Sequence, residues 1–254
     1  MKRPPTFEID VTEKFTRLPN APIAEAVIQW QATPTKPLEQ TSLEAGLKVR
    51  FPDYEIKVQQ RMEAAFQFTS TPQEVEQSHK TSWDGFRLTS QDKKHICQFK
   101  PNMVVFSRLA PYDGWDSFHQ GATPFWQAFV ELAAPDTVDR IGVRYISQVN
   151  LKDDEKVSDY VEQVPAPLQR IGLSSETFFH QDSVSLPGSF RLNLVRTIQP
   201  AEPPLIQKSL IVDIDVSTTD ATPLASVEMR LKEMRFIKNK VFFSFMKDAE
   251  EKFK

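Results

Sequence analysis

The sequence predicts an α+β fold in which a mainly antiparallel sheet carries long helices on one face. Apolar and polar residues alternate in several short runs, which is typical of half-buried strands. Three such runs are consecutive in each half of the chain, without the intervening helices that a parallel doubly wound sheet requires. Two longer segments, residues 115–133 and 223–245, carry apolar residues at spacings of three and four, which predicts amphipathic helices.

The clearest predicted strand covers residues 139–151, with the sequence DRIGVRYISQVNL. One set of alternate positions is interrupted by Ser147 and is otherwise apolar: Ile141, Val143, Tyr145, Val149 and Leu151. The other set is polar and cationic, and includes Arg140, Arg144, Gln148 and Asn150. Successive side chains of a strand point to opposite faces, so we expect one buried face and one cationic face.

The elements before this strand are predicted in chain order. Residues 1–20 lack periodicity, which predicts an extended arm that is mobile unless it docks. There follow a strand over residues 23–31, a helix over 38–50, a strand over 54–70, a loop or short helix over 72–81, and a hairpin of 85–90 and 95–109 about a turn at 91–94. The next helix has Asp113 as its N-cap and the stripe Trp115, Phe118, Ala122, Phe125, Trp126, Phe129, Val130 and Ala133. We expect this stripe to pack against the sheet, and the alternative is that it lines a ligand pocket.

The elements after the clearest strand repeat this order. They are a short helix over residues 157–164, strands over 177–186, 190–199 and 205–217, and a C-terminal helix with Thr222 as its cap and Pro223 at its first position. Residues 21–136 and 137–254 therefore both read β-α-β-β-β-α. This order predicts either two sheets related by a pseudo-twofold duplication or one large sheet, with the two halves fused in one domain.

The composition is that of a globular protein without special targeting. The 254 residues are 40% hydrophobic and 26% charged, and they contain no apolar run long enough to span a membrane. The first ten residues lack the apolar region of a secretory signal, and Cys97 is the only cysteine, so we predict a cytoplasmic protein that makes no intramolecular disulfide. A formal net charge of −3 disfavours a nucleic-acid partner.

Common catalytic and cofactor motifs are missing from the sequence. The 7 glycines are scattered, so they cannot form a phosphate-binding or dinucleotide-binding loop. The 4 histidines are far apart and form no zinc-binding pair, and no GxSxG segment is present. We therefore predict no cofactor.

Two charge sets form the strongest candidate site in the sequence. Arg140 and Arg144 share one strand face, and Asp213 and Asp215 share the polar face of the strand over residues 205–217. These charges predict ion pairs across the sheet, and the alternative is a groove in which Arg140, Arg144, Gln148 and Asn150 bind an acidic ligand or peptide. A third interpretation makes Asp213 and Asp215, with Glu228, the ligands of a divalent metal in a nuclease or nucleotidyl-transfer enzyme.

Several segments are similar in amino-acid sequence to a known group of proteins. The runs NAPIAEAVIQW, GFRLTS, CQFK, VVFSRLAPYDGWDSF, RIGVRYISQVNL and FIKNKVFFSFMKDAEEKF span nearly the whole chain. Together they resemble a sporadically distributed, uncharacterised family of prokaryotic proteins of about 250 residues. One departure is Ser147, where we expect Asn in sequences of that family. The resemblance implies no activity, cofactor or catalytic residue, and a patchy distribution is compatible with a prokaryotic defence or toxin–antitoxin system.

These observations favour a binding protein over an enzyme. Trp115 and Trp126 are candidate contact residues beside the arginine face, because tryptophan is enriched at protein interfaces. We predict a non-enzymatic protein that holds a partner protein or peptide, with no membrane partner. A homo-oligomer is left open, and the metal-dependent enzyme is the alternative function.

Overall fold

The computed structural model describes residues 6–68, 75–162, 171–173, 176–201 and 207–254, with the side chains of residues 62–80 excepted. Its strands are β1 (Ile23–Gln31), β2 (Tyr54–Phe68), β3 (Val75–Ser90), β4 (His95–Lys100), β5 (Met103–Leu109), β6 (Thr137–Val138), β7 (Arg140–Asn150), β8 (Phe179–Leu186), β9 (Phe190–Gln199), β10 (Ser209–Thr218) and β11 (Thr222–Pro223). Its α-helices are α1 (Gln40–Arg50), α2 (Trp115–Ala133), α3 (Val227–Phe245) and α4 (Ala249–Lys252). None of these helices has both the length and the hydropathy of a transmembrane span.

The described residues form one nine-stranded sheet, in the order β2-β3-β4-β5-β1-β7-β10-β9-β8. Every neighbouring pair is antiparallel, which confirms the predicted α+β class and decides between one sheet and two. Strands β1 and β7 are the first strands that residues 21–136 and 137–254 contribute to this sheet, and they pair with each other at its centre. A separate two-stranded ladder joins β6 to β11.

Strand β7 has the predicted division into two faces. Its positions 141, 143, 145, 147 and 149 are all buried, whereas Arg144 and Asn150 are exposed. The buried positions align with Ala26, Ile28 and Trp30 of β1 and with the buried positions of β10, which gives the sheet a continuous apolar face. Burial of this apolar face against the helices is the main stabilising contribution that the alternation of apolar and polar residues provides.

The long helices cover that apolar face. Helix α2 packs through Phe118, Phe125 and Phe129, and the ring of Phe125 lies 5.5 Å from that of Phe106 on β5. Helix α3 packs through Leu231, Met234 and Ile237 against β7 and β10. The aromatic stripe of α2 is therefore core, as predicted, except that Trp115 and Val130 are only partly buried against it.

Several predicted boundaries were wrong. The segment over residues 72–81 is polar, yet residues 75–81 belong to the long strand β3, because pairing with β2 satisfies its backbone. The run over residues 95–109 is divided into β4 and β5 by a turn at residues 101–102, whereas the predicted turn at 91–94 is confirmed. The predicted helix over 157–164 is a 3₁₀ turn, Val157–Asp159, and residues 163 and 164 lie outside the described part.

The predicted helix caps were also wrong. Gly114, not Asp113, is the N-cap of α2, although the Asp113 carboxylate accepts a hydrogen bond of 2.8 Å from the Ser117 hydroxyl in the first turn. Thr222 and Pro223 pair with β6 as β11, and a 3₁₀ turn, Leu224–Ser226, separates them from α3. The second difference arises because Thr222 and Pro223 pair with β6 and so do not begin the helix.

Residues 6–20 of the N-terminal arm are docked on α3 and α4. The rings of Phe7 and Phe15 lie against Phe236 and Phe243 of α3. Polar contacts of the arm include Glu13 with Lys240, Thr16 with Glu250, and the backbone N–H of Asn20 with the Phe253 carbonyl. The arm therefore forms a wall against the outer side of α3.

Gly85 is required at a bulge in β3, where Asp84 is the extra residue between the partners of Gln59 and Gln60. Its φ is +134°, and a Cβ added there would lie 2.5 Å from the carbonyl oxygen of Phe99. The pairing of β2 with β3 shifts register between Gln59 and Gln60, opposite this glycine. We expect Gly85→Ala to lower the unfolding free energy by about 1–3 kcal/mol. Urea denaturation measures this change, and Gly46→Ala, where the added Cβ meets nothing within 4 Å, is the control.

Candidate functional site

A cavity of about 360 Å³ lies between the N-terminal arm and the helical face of the sheet. We call it the arm pocket. Its walls are residues 15–19 of the arm, residues 21–23 at the start of β1, residues 112–117 around the start of α2, Tyr145 and Ser147 of β7, Ile214 of β10, and residues of α3 between 235 and 243. The arm pocket therefore opens at the centre of the sheet, where the two halves of the chain meet.

Lys238 of α3 reaches into the arm pocket. Its Nζ lies 4.0 Å from the centroid of the Tyr145 ring, on which it makes a cation–π contact. Lys238 makes no ion pair with any residue in the described part of the chain. Desolvation, with a smaller contribution from the nearby Arg235 charge, lowers the pKa of Lys238 to about 7. The ammonium is thus partly deprotonated at neutral pH.

A pair of tyrosines lies beside Lys238. The hydroxyl oxygens of Tyr112 and Tyr145 are 2.9 Å apart, and their rings meet edge to face. Burial raises the pKa of Tyr112 to about 12, and burial also raises the pKa of Tyr145 well above its usual value. Both hydroxyls therefore stay neutral near pH 7 and act as hydrogen-bond donors or acceptors, not as counter-charges for the lysine.

The other charged side chains around the arm pocket already have partners. The Asp113 carboxylate lies 3.7 Å from Arg108, and the Asp116 carboxylate lies 3.7 Å from Arg235. Arg235 also lies over the Trp115 ring, at 5.6 Å. The Arg17 guanidinium donates to the Asp113 carbonyl oxygen at 3.1 Å. Lys238 is thus the one cation of the described lining without such a partner.

The predicted arginine and aspartate sets meet on the opposite, open face of the sheet. Arg144 donates two hydrogen bonds to Asp213, at 2.8 and 2.5 Å, and this contact raises the pKa of Arg144. Arg140 lies 3.7 Å from Asp215, whose pKa burial raises. The charges form the cross-strand ion pairs that the sequence predicted as its first interpretation.

The polar residues farther along β7 are also engaged with each other. The Gln148 amide donates to Asn150 at 3.2 Å and to Ser209 at 3.1 Å. The Ser209 hydroxyl donates to Asn150 at 2.8 Å. The four residues predicted as an acidic-ligand groove thus share one face, but their side chains bind neighbours in the sheet.

The Arg144 and Asp213 pair lends itself to a direct energetic test. The Arg144 side chain is 48% exposed, so solvent screens the attraction even though the contact is bidentate. We expect a double-mutant cycle of Arg144→Ala and Asp213→Ala to give a coupling energy of about 0.2–1 kcal/mol in urea denaturation. A coupling of several kcal/mol would show that this face is more strongly desolvated than its geometry indicates.

The remaining predicted residues are dispersed. Trp126 is 8% exposed and stacks on Trp30 in the core, whereas Trp115 lines the arm pocket. Glu228, the predicted third metal ligand, is on α3 and lies 3.1 Å from His119 of α2. The described residues contain no group of three or more His, Cys, Asp or Glu side chains arranged to hold a metal ion. Asp213, Asp215 and Glu228 are therefore not brought together.

Lys238 was missed at the sequence level because it stands in a segment rich in charged residues, which include Arg235 and Lys240. A signal was present, since Lys238 follows Leu231 by seven residues and Met234 by four, which places it on the buried stripe of the helix. Ser147 is a second signal, because it is the polar interruption on the buried face of β7 and lines the same pocket. Lys238 on the buried stripe of α3 and Ser147 on the buried face of β7 are thus the two sequence signals of the site.

Comparison with known proteins returned no relative, because no family model and no curated protein matches the chain. The fold and the geometry of the arm pocket are therefore the observations on which a functional argument can be built.

Proposed function

We propose that this chain is a non-enzymatic binding protein that holds a partner protein or peptide, and that an acidic group of the partner enters the arm pocket. The observation that carries this proposal is Lys238, an ammonium in a cavity with no counter-charge among the described residues. A charge removed from water without a partner is costly, and a ligand carboxylate would offset that cost. The site is complete when a second molecule supplies the negative charge.

The lining of the arm pocket also supports a protein partner. Aromatic rings and arginines surround the lysine, among them Phe15, Trp115 and Arg235. Aromatic residues and arginine are enriched in protein interfaces and carry most of their binding energy. Five separate parts of the chain build the lining, so the arrangement is held by the whole fold.

The strand order further supports a duplication of the two halves. Strands β1 and β7 begin the halves, and each is flanked by the last long strand of its own half, β5 or β10. A long helix, α2 or α3, then follows that last strand and packs on the same face. On this proposal the arm pocket lies near the pseudo-twofold axis, and β2 is an addition to the first half.

Native mass spectrometry of the protein purified from its host at endogenous level tests the proposal. We expect a second polypeptide at fixed stoichiometry with the wild-type chain and with Lys232→Met, in which an exposed lysine of the same helix is removed. We expect Lys238→Met to lose that polypeptide. A wild-type protein that is bare, alone or as a homo-oligomer, would overturn the proposal.

A further inference from the structure

We infer that the group held in the arm pocket is the C-terminal residue of the partner chain, with its free α-carboxylate on Lys238 and a bulky apolar side chain against the aromatic wall. This inference rests on the proposed function and specifies its ligand. Capture of a chain terminus is a recurrent mode of peptide recognition.

The charge distribution of the arm pocket favours one carboxylate. The acidic side chains at its edge, Asp113 and Asp116, are each 3.7 Å from an arginine, so they do not supply a counter-charge for Lys238. Ser147 and Asn239 line the same cavity and carry a hydroxyl and an amide. A carboxylate has two oxygens, and it therefore suits a site in which the Lys238 ammonium lacks a counter-charge and neutral hydrogen-bond donors lie in the same lining.

The apolar part of the lining distinguishes a chain terminus from an acidic side chain. Ile23, Ile214 and Phe242 line the cavity together with the charged and hydroxyl groups. An aspartate or glutamate side chain would leave this apolar surface uncovered, whereas a C-terminal leucine or phenylalanine presents a carboxylate and an apolar side chain on one residue. The cavity of about 360 Å³ has room for roughly a dozen water molecules, which suits one or two residues of a peptide.

Binding of a carboxylate should be coupled to proton uptake by Lys238. The groups that face this lysine are Tyr145 on β7, Tyr112 before α2, and Arg235 on its own helix, with Arg17, Asp113 and Asp116 at the edge. Burial keeps both tyrosines neutral up to high pH, and the guanidinium of Arg235 favours the neutral amine. Lys238 therefore takes up a proton when the carboxylate arrives, and affinity falls by about tenfold per pH unit above pH 7.

Titration calorimetry with short peptides tests the inference on the full chain. The probes are N-acetyl-Leu-Phe with a free carboxylate, its C-terminal amide, N-acetyl-Leu-Gly with a free carboxylate, and N-acetyl-Leu-Glu amide. We expect the first probe to bind about 10- to 100-fold more tightly than its amide, because the amide loses the charge-assisted contact. We expect a loss of about 10-fold or more for the glycine probe, which lacks the apolar side chain.

Variants of the chain separate the two parts of the inference. In Lys238→Met the free acid and the amide should bind with equal affinity, and in Lys232→Met the preference for the acid should remain. Equal affinities of acid and amide for the wild-type chain, tighter binding of the glutamate probe, or no binding of any probe would overturn the inference. The proposed function is decided separately, since it fails when the wild-type protein carries no second polypeptide in native mass spectrometry.

Discussion

We expect the free energy of unfolding of the wild-type chain to rise between about pH 7 and pH 10, and we expect Lys238→Met to abolish this rise. The pKa of Lys238 is about 7 in the folded chain and about 10.4 in the unfolded chain, so the unfolded state binds more protons in this window. The wild-type free energy of unfolding therefore increases with pH, by up to about 1.4 kcal/mol per unit from this group. Urea denaturation at a series of pH values, followed by tryptophan fluorescence, measures the slope.

The same variant should be more stable than the wild type at the acidic end of this window. A methionine fills much of the volume of the lysine stem and has no charge to desolvate, so the cost that burial imposes on the ammonium is removed. Lys232→Met is the matched control, because its side chain is exposed on the same helix. Parallel pH profiles for wild type and Lys238→Met would contradict a desolvated amine.

Replacing Phe106 with alanine should destabilise the chain by about 3–5 kcal/mol. Phe106 is fully buried on β5, and its ring lies 5.9 Å from Phe118 and 5.5 Å from Phe125 of α2. Gly121 of α2 also lies close to this ring, since a Cβ there would be 3.2 Å from it. A cavity at this point would separate α2 from the sheet, and urea denaturation measures the loss.

Phe179→Ala is the control for this large effect. Phe179 is 69% exposed on the edge strand β8, and its truncation should change the unfolding free energy by less than about 0.5 kcal/mol. If Phe106→Ala lowered the free energy of unfolding no more than Phe179→Ala does, the packing of α2 on the sheet would not be a major source of stability.

Alternation of polarity predicted the central part of the fold because its cause is local. Strand β7 was predicted within one residue at each end, since burial of one face imposes a period of two on the sequence. The polar segment over residues 72–81 carries no such pattern, and β3 extends through residues 75–81 because β2 supplies hydrogen-bond partners. Hydrogen bonds from a neighbouring strand can thus extend a strand into a segment whose side chains show no alternation.

The candidate site was predicted less well for a related reason. The sequence predicted Arg140 and Arg144 on one face of a strand, and Asp213 and Asp215 on one face of another. The structure brings the two sets together as ion pairs. The arm pocket depends instead on contacts between residues such as Phe15, Tyr112 and Lys238, which are far apart in the sequence. Helical spacing places Lys238 on a buried stripe of α3. That no described residue supplies its counter-charge is visible only in the tertiary structure.

Nuclear magnetic resonance titration of the Lys238 side chain measures the ionisation on which the proposed site depends. The Cε and Nζ resonances report the ionisation of the amine in the intact protein, with Lys238→Met providing the assignment. We predict a pKa near 7 in the protein alone and a rise of at least about one unit when N-acetyl-Leu-Phe is added, because a bound carboxylate stabilises the charged form. A pKa near 10.4 in the protein alone, as in an exposed lysine, would contradict the account.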